Sequence, residues 1–313
     1  MVVFFDSLQG VLVILVMIVI GYILARSRWF SPSSSQIIAR IVTQIALPMY
    51  MIDTITKDFT KQQLAQLLPN LKYPVISMMI LFGLSVAIAR LLHVRKNRRG
   101  LFQSMFFNSN TVFVGLPINM ALFGPSSLPY VLVYYMANTT FFWTLGTYLI
   151  QRDGEGTWKF DIFTTLKKVF SPPLFGFMIG VVLVLLDVKI PTFIASDLHY
   201  MGALTIPLSM IFIGIAIEKA GLRNIKLSRY SLGVLAGRFI LAPILMSLLL
   251  WRADVPQLMK QVFILQSAMP VMTNAPVVAK LYGADADYAA IMVTESTILS
   301  LIAVPILMTL LQK

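Results

Sequence analysis

Apolar residues run along this chain in stretches of about 20, the length a helix needs to cross a bilayer's hydrocarbon core. Short polar breaks or Gly and Pro punctuation separate them into ten segments: roughly 7–25, 36–54, 72–92, 101–123, 128–150, 171–187, 198–219, 230–250, 258–282 and 284–311. The sixth is short, and the last two run together at Tyr282 and Gly283. No linker or low-complexity tract interrupts the series, and the longest polar stretch lies near 151–170.

Composition supports a chain built for lipid. Of 313 residues 58% are hydrophobic and only 12% charged, about half the charge of a soluble domain. Mean hydropathy is +0.82. A water-soluble surface cannot be made from so little charge. This excludes a cytosolic enzyme, a nucleic-acid binder and a single-span receptor. With no Cys, and only His93 and His199, neither thiolate nor histidine-rich metal sites are expected, and no cofactor motif occurs. No catalytic pair stands out, so an enzyme is not expected. The N-terminus, MVVFFDSLQG, lacks a basic region and reads as a retained first segment, not a cleaved signal.

The net charge of +12 then becomes information about topology. Most Lys and Arg fall in the 1–2, 3–4, 5–6, 7–8 and 9–10 connections and their flanks, including Arg40, the HVRKNRR cluster at 93–99 and Lys280. Lys57, Lys61, Lys72, Lys189, Arg252, Lys260 and Lys313 fall on the other side. The positive-inside rule places the first set in the cytoplasm and both termini outside, in a multi-pass plasma-membrane protein.

Sliding the sequence against itself by 159 residues pairs Gly21 with Gly180, Pro32 with Pro191, Pro48 with Pro207, Pro117 with Pro276 and Gly124 with Gly283. Each half, 1–154 and 155–313, then holds five segments. An odd number forces the halves into opposite orientations, as in secondary transporters. The expected fold is therefore all-α and polytopic, with ten transmembrane helices in two inverted five-helix repeats.

Segments four and nine correspond in this register. One carries FNSNTVFVGLP (Phe107–Pro117), the other QSAMPVMTNAP (Gln266–Pro276). Each sets small and amide residues ahead of a mid-segment proline, which removes an amide donor and clashes with the preceding turn. Broken backbone survives at membrane depth only when buried in protein or lining a wet cavity. Two such breaks crossing would present helix N-termini beside amide side chains, a setting for carboxylates. The candidate binding residues are Asn108, Ser109, Asn110, Thr111 and Pro117, with Ser267, Asn274 and Pro276.

Asn110-Thr111-x-x-x-Gly115-x-Pro117 resembles the crossover motif of the auxin efflux carrier family, which includes the plant PIN exporters and bacterial malate and malonate carriers. The stretch from Ser267 to Pro305, Leu47-Pro48 and the basic connection before segment four are also similar. The resemblance spans the whole chain. It implies a scaffold and dimer domain from segments 1, 2, 6 and 7, and a moving domain from segments 3–5 and 8–10. It also implies an X-shaped crossover of segments four and nine, and elevator-like transport of a small organic anion by a homodimer. The family asparagine that contacts the substrate carboxylate maps onto Asn110. Two departures stand out. Segment three lacks the acid found in the PIN exporters and has Lys72 only at its edge, and the 5–6 connection is short. The second proline could be Pro276, as the register favours, or Pro270.

Charges inside the membrane are costly, so Arg238 in segment eight and Glu295 in segment ten are coupling candidates, with a proton as the partner and mutual pairing as one arrangement. Asn138, Thr139, Thr140, Thr294, Ser296 and Thr297 could line the site or serve helix packing. The leading reading is a secondary carrier of small carboxylates in the lipid bilayer, with no nucleic-acid partner. The alternatives are a sodium-coupled carrier of bile-acid symporter type and a passive anion channel.

Overall fold

A computed structural model describes residues 2–31, 34–65, 67–154, 170–220 and 227–311. Pro32, the basic residues Lys159, Lys167, Lys168, Arg223, Lys226 and Lys313, and the 5–6 connection lie outside the described residues. Among the described residues the architecture is all helical, with one isolated bridge, Ser109 to Val271, and no strands.

The expected segments are found within a few residues. Segment 1 is Val2–Arg26, segment 2 Ser34–Asp58, segment 3 Lys72–Leu91, and segment 4 is split into Lys96–Phe107 and Thr111–Phe123. Segment 5 covers 128–153, segment 6 Pro172–Leu185, segment 7 Thr192–Lys219 and segment 8 Arg229–Leu250. Segment 9 is split into Gln257–Ser267 and Ala275–Leu281, and segment 10 is Ala286–Leu311.

Among the described residues, five helices are long and apolar enough to cross a membrane: 34–58, 61–91, 192–219, 229–250 and 286–311. Their outward faces carry large apolar side chains, such as Met79, Ile80, Ile240, Ile244, Ile302 and Ile306, exposed as lipid contact requires. Segment 5 does not stand out by hydropathy, for a physical reason. Tyr134, Tyr135, Asn138 and Thr139 are all buried, so this helix is solvated by protein rather than lipid and tolerates polar groups.

Close approaches tie segments 1, 2, 6 and 7 together. Segment 1 packs along segment 7. A Cβ on Gly214 would lie 2.2 Å from the Ile18 carbonyl, and one on Gly21 2.5 Å from the Ile211 carbonyl. Each helix therefore gives the other a bare backbone to lie against, the way small residues let membrane helices meet where apolar burial gives no drive. Segments 6 and 7 both pack on the second half of segment 2.

Candidate substrate site at the crossing of segments four and nine

Segment 4 leaves the helix at Asn108, whose ψ of 138° is extended, and resumes at Thr111 with a wide π turn to Gly115. Asn110 starts that second half. Its Oδ1 accepts from the Phe113 amide at 3.1 Å, and its carbonyl accepts from the Gly115 amide at 2.9 Å. Pro276 stands in the first turn of the helix that follows its break, Ala275–Leu281, whereas Pro117 stands where the π turn Thr111–Gly115 gives way to the α-helix Leu116–Phe123. At the start of a helix, where Pro276 sits, a missing amide donor costs least. Pro270 instead lies in the break itself and accepts from the Asn110 amide at 2.8 Å.

The two breaks meet as a fragment of antiparallel ladder between Ser109 and Val271. Several of their backbone groups are held by neighbouring side chains. Asn138 of segment 5 accepts from the Ser109 amide at 2.9 Å and donates to the Ser109 carbonyl at 2.8 Å. Ser296 of segment 10 accepts from the Val271 amide at 3.0 Å. Gln266 donates to the Thr111 carbonyl at 3.4 Å and lies so near Gly115 that a Cβ there would sit 2.3 Å from its Oε1. The glycine of the motif is a packing requirement of the crossing.

Arg238 takes a different part from the one its sequence position suggests. It is fully buried, and its guanidinium donates to the carbonyls of Met269 and Phe106, both at 3.1 Å, and of Ser267. Its hydrogen-bond acceptors are main-chain oxygens of the two breaks. Glu295 is buried in segment 10, away from the cavity described next.

A cavity of about 510 Å³ opens beside the crossing. One wall is the crossing itself, with Asn110, Thr111, Val112 and Phe113 from segment 4 and Met272, Thr273 and Asn274 from segment 9. Tyr135, Thr139 and Trp143 of segment 5 form the next. The facing wall comes from segment 2, with Ser35, Gln36, Ala39, Arg40, Thr43 and Gln44, together with Ser171–Pro173 and Phe212. Phe113 packs on Phe212 with ring centroids 4.8 Å apart, and the Tyr135 hydroxyl meets Ser171 Oγ at 2.6 Å.

Of the residues expected to bind substrate, the structure brings Asn110, Thr111 and Asn274 to this cavity. Asn108, Ser109 and Ser267 are buried within the crossing, and Pro117 and Pro276 shape the helices behind it; none of these five lines the wall. Among the hydroxyls, Thr139 lines it, while Thr140, Thr294 and Thr297 bond carbonyls of their own helices. Sequence reasoning missed Arg40 as a wall residue because it sits among the charges that set topology.

The chemistry of the wall is one-sided. Asn110 is 2% exposed, and its Nδ2, with two donors, has no hydrogen-bond partner; neither has the buried Thr139 hydroxyl. Arg40 is exposed in the wall and joins no ion pair among the described residues. No Asp or Glu lines the cavity among the described residues. Amides and hydroxyls able to donate, with one fixed cation and no carboxylate, suit an anion.

A family model described as "Membrane transport protein" matches residues 6–308. The chain belongs to that family, the auxin efflux carriers and their relatives. An uncharacterized transporter of Methanocaldococcus jannaschii is 27% identical, covering 94% of this chain and 95% of its own length. An uncharacterized transporter of Methanothermobacter thermautotrophicus is 28% identical, covering 97% and 98%. The membrane transport protein described here is thus a multi-pass transporter and not an enzyme.

Proposed function

We propose that this transporter is a secondary carrier of small organic anions, dicarboxylates of malate or malonate size, and that the cavity beside the crossing is its substrate site. The observation that carries this is a wall of amides and hydroxyls, Asn110 and Thr139 among them, with one cation, Arg40, and no carboxylate among the described residues that line it. An amide binds a carboxylate through hydrogen bonds but leaves it free to depart, which a carrier needs. The second half of segment 4 adds the positive end of its helix dipole, since its first residues, Thr111 to Phe113, stand in the wall.

The elevator reading is supported by where the walls come from. Segments 1, 2, 6 and 7 form one tightly packed group, a candidate scaffold and homodimer surface. The crossing with segment 5 forms the other wall. The inverted repeat of 1–154 and 155–313 is supported by detail at the same offset of 159. Arg28 and Asp187 both take positive φ, 60° and 53°, as do Gly124 and Gly283 at 70° and 73°. After segment 1 the bonds run from Ser27 to Ile23, Arg28 to Ala25 and Trp29 to Leu24. After segment 6 they run from Leu186 to Val182, Asp187 to Val184 and Val188 to Leu183. The two turns match bond for bond.

The deciding experiment is uptake of labelled dicarboxylates into proteoliposomes with and without imposed pH and Na⁺ gradients. Saturable uptake that unlabelled malate or malonate suppresses is expected; competition by neither, with uptake of cations instead, would overturn the reading. Arg40→Gln is expected to raise KM about two- to fivefold, the weight of an exposed ion pair worth up to about 1 kcal/mol. A dianion should suffer more than its monoamide, and an equal effect on both would remove Arg40 from the site.

Orientation is open to a direct test in the Cys-free background. Gln62 and Asn97 are exposed on opposite sides of the expected topology. Gln62→Cys should react with an impermeant thiol reagent on intact cells, and Asn97→Cys only after permeabilisation. The reverse pattern would invert the topology.

A further inference from the structure

Arg238 meets the crossing where its negative charge is concentrated. A helix end leaves its last four carbonyls without partners inside the helix and carries about half a negative charge. Phe106 lies in the last turn of the first half of segment 4, Ser267 ends the first half of segment 9, and Met269 follows in the break. All three carbonyls point at one guanidinium that is 0% exposed. Broken membrane helices in other transporters use such converging carbonyls and C-terminal ends to hold a coupling cation.

The buried Tyr134 hydroxyl also lies beside the guanidinium, a single donor against three carbonyls, and the polar groups around it are already committed. The Pro270 carbonyl takes the Asn110 amide, Ser109 is bound on both sides by Asn138, and the Val271 amide is held by Ser296. Three carbonyls from two half-helices thus lack a partner unless a cation stands among them. The chain supplies that cation from segment 8, through a planar fork that reaches several acceptors at once.

We infer that Arg238 is a tethered counter-cation of the crossing, standing where a dissociable coupling cation would otherwise bind, so that the crossing assembles and works without Na⁺. Its charge cannot leave with the substrate. The inference does not depend on which substrate is carried, since it concerns what holds the two breaks together. It sets this protein apart from a carrier whose crossing must be completed by sodium.

The test uses purified full-length protein in detergent, where thermal midpoints need no substrate. Wild type should unfold at the same temperature in sodium, potassium and choline chloride of equal ionic strength. Arg238→Ala leaves three carbonyls around a guanidinium-sized space, so its lowered midpoint should rise with millimolar guanidinium and not with the same concentration of choline. A packing role alone would give no such preference. Arg238→Lys and Arg238→Met, of similar length, provide a second comparison should the alanine variant not be recovered from membranes. Lysine should restore much of the yield and midpoint, and methionine should not. A wild-type midpoint that rises in Na⁺ over choline, an alanine variant indifferent to guanidinium, or a methionine variant as stable as the lysine one would each overturn the proposal.

Discussion

Replacing Asn138 by leucine is expected to cost about 2–6 kcal/mol of stability and to abolish transport. The side chains share the same branched heavy-atom skeleton, so the change removes polarity, though leucine's bulkier methyls add some overpacking. Asn138 is 0% exposed and serves as both acceptor and donor for Ser109, at 2.9 and 2.8 Å. In effect it replaces the helical turn that segment 4 gives up at its break. Without it a buried amide and a buried carbonyl lose their partners, at about 1–3 kcal/mol each. Thr140→Val on the same helix is the control. Its hydroxyl bonds Met136 and is exposed, so its effect should stay within about 0.5 kcal/mol. Thermal unfolding in detergent gives the comparison. An Asn138→Leu protein as stable as the Thr140→Val control would mean that water or backbone movement satisfies Ser109, and that the crossing is not rigidly held.

The segments were legible because lipid imposes a strong rule: helices that face it must be apolar for about 20 residues. The places where that rule weakens are those where protein replaces lipid as the solvent. Segment 5 carries Asn138 and Thr139 in its middle, and the first half of segment 4 starts at Lys96, earlier than apolarity suggests, with its Gly100 and Leu101 amides donating to the Asp153 carboxylate. The breaks were also legible, from paired amide and proline clusters at matching positions. What the prolines do was not. Pro276 begins its second half-helix and Pro117 marks the change from π turn to α-helix within the other, while the break itself is made by extended residues, Asn108 in one segment and the stretch around Pro270 in the other.

Side-chain partners were the least legible part. A buried arginine suggests a buried carboxylate, and Glu295 was the natural candidate. The partners of Arg238 are carbonyls 132 residues before it and about 30 after it, a relation that only the crossing creates. Arg40 shows the opposite error. In sequence it is one more cation near a basic connection, while the fold turns that end of segment 2 toward the cavity. No spacing within segment 2 carries that information, because the cavity's other wall lies in segments 4, 5 and 9.

Asn110 is where fold and transport chemistry can be separated by mutation. Its side chain has two ends with two duties. Oδ1 caps the second half of segment 4 through the Phe113 amide, and Nδ2 is left buried and unpartnered at the cavity wall. Asn110→Ala removes both, so some loss of stability, about 0.5–2 kcal/mol for the cap, should accompany any loss of transport. Asn110→Ser keeps a good capping oxygen and loses the two amide donors. It should unfold close to wild type while its affinity for the organic anion falls about 10- to 150-fold, the weight of about 1.5–3 kcal/mol for a hydrogen bond to a charged group. Asn110→Asp also keeps the cap, but it aims carboxylate oxygens at an anion, and uptake should fall below the level of the serine variant. Asn274 lines the same cavity half-buried and makes no cap bond, so Asn274→Ala should show a smaller effect. The order of uptake, with wild type above Asn274→Ala, then Asn110→Ser and then Asn110→Asp, is what a carboxylate held by Nδ2 requires. Wild-type affinity in a stable Asn110→Ser protein would show that Nδ2 does not touch the substrate, and would move the binding site away from the crossing.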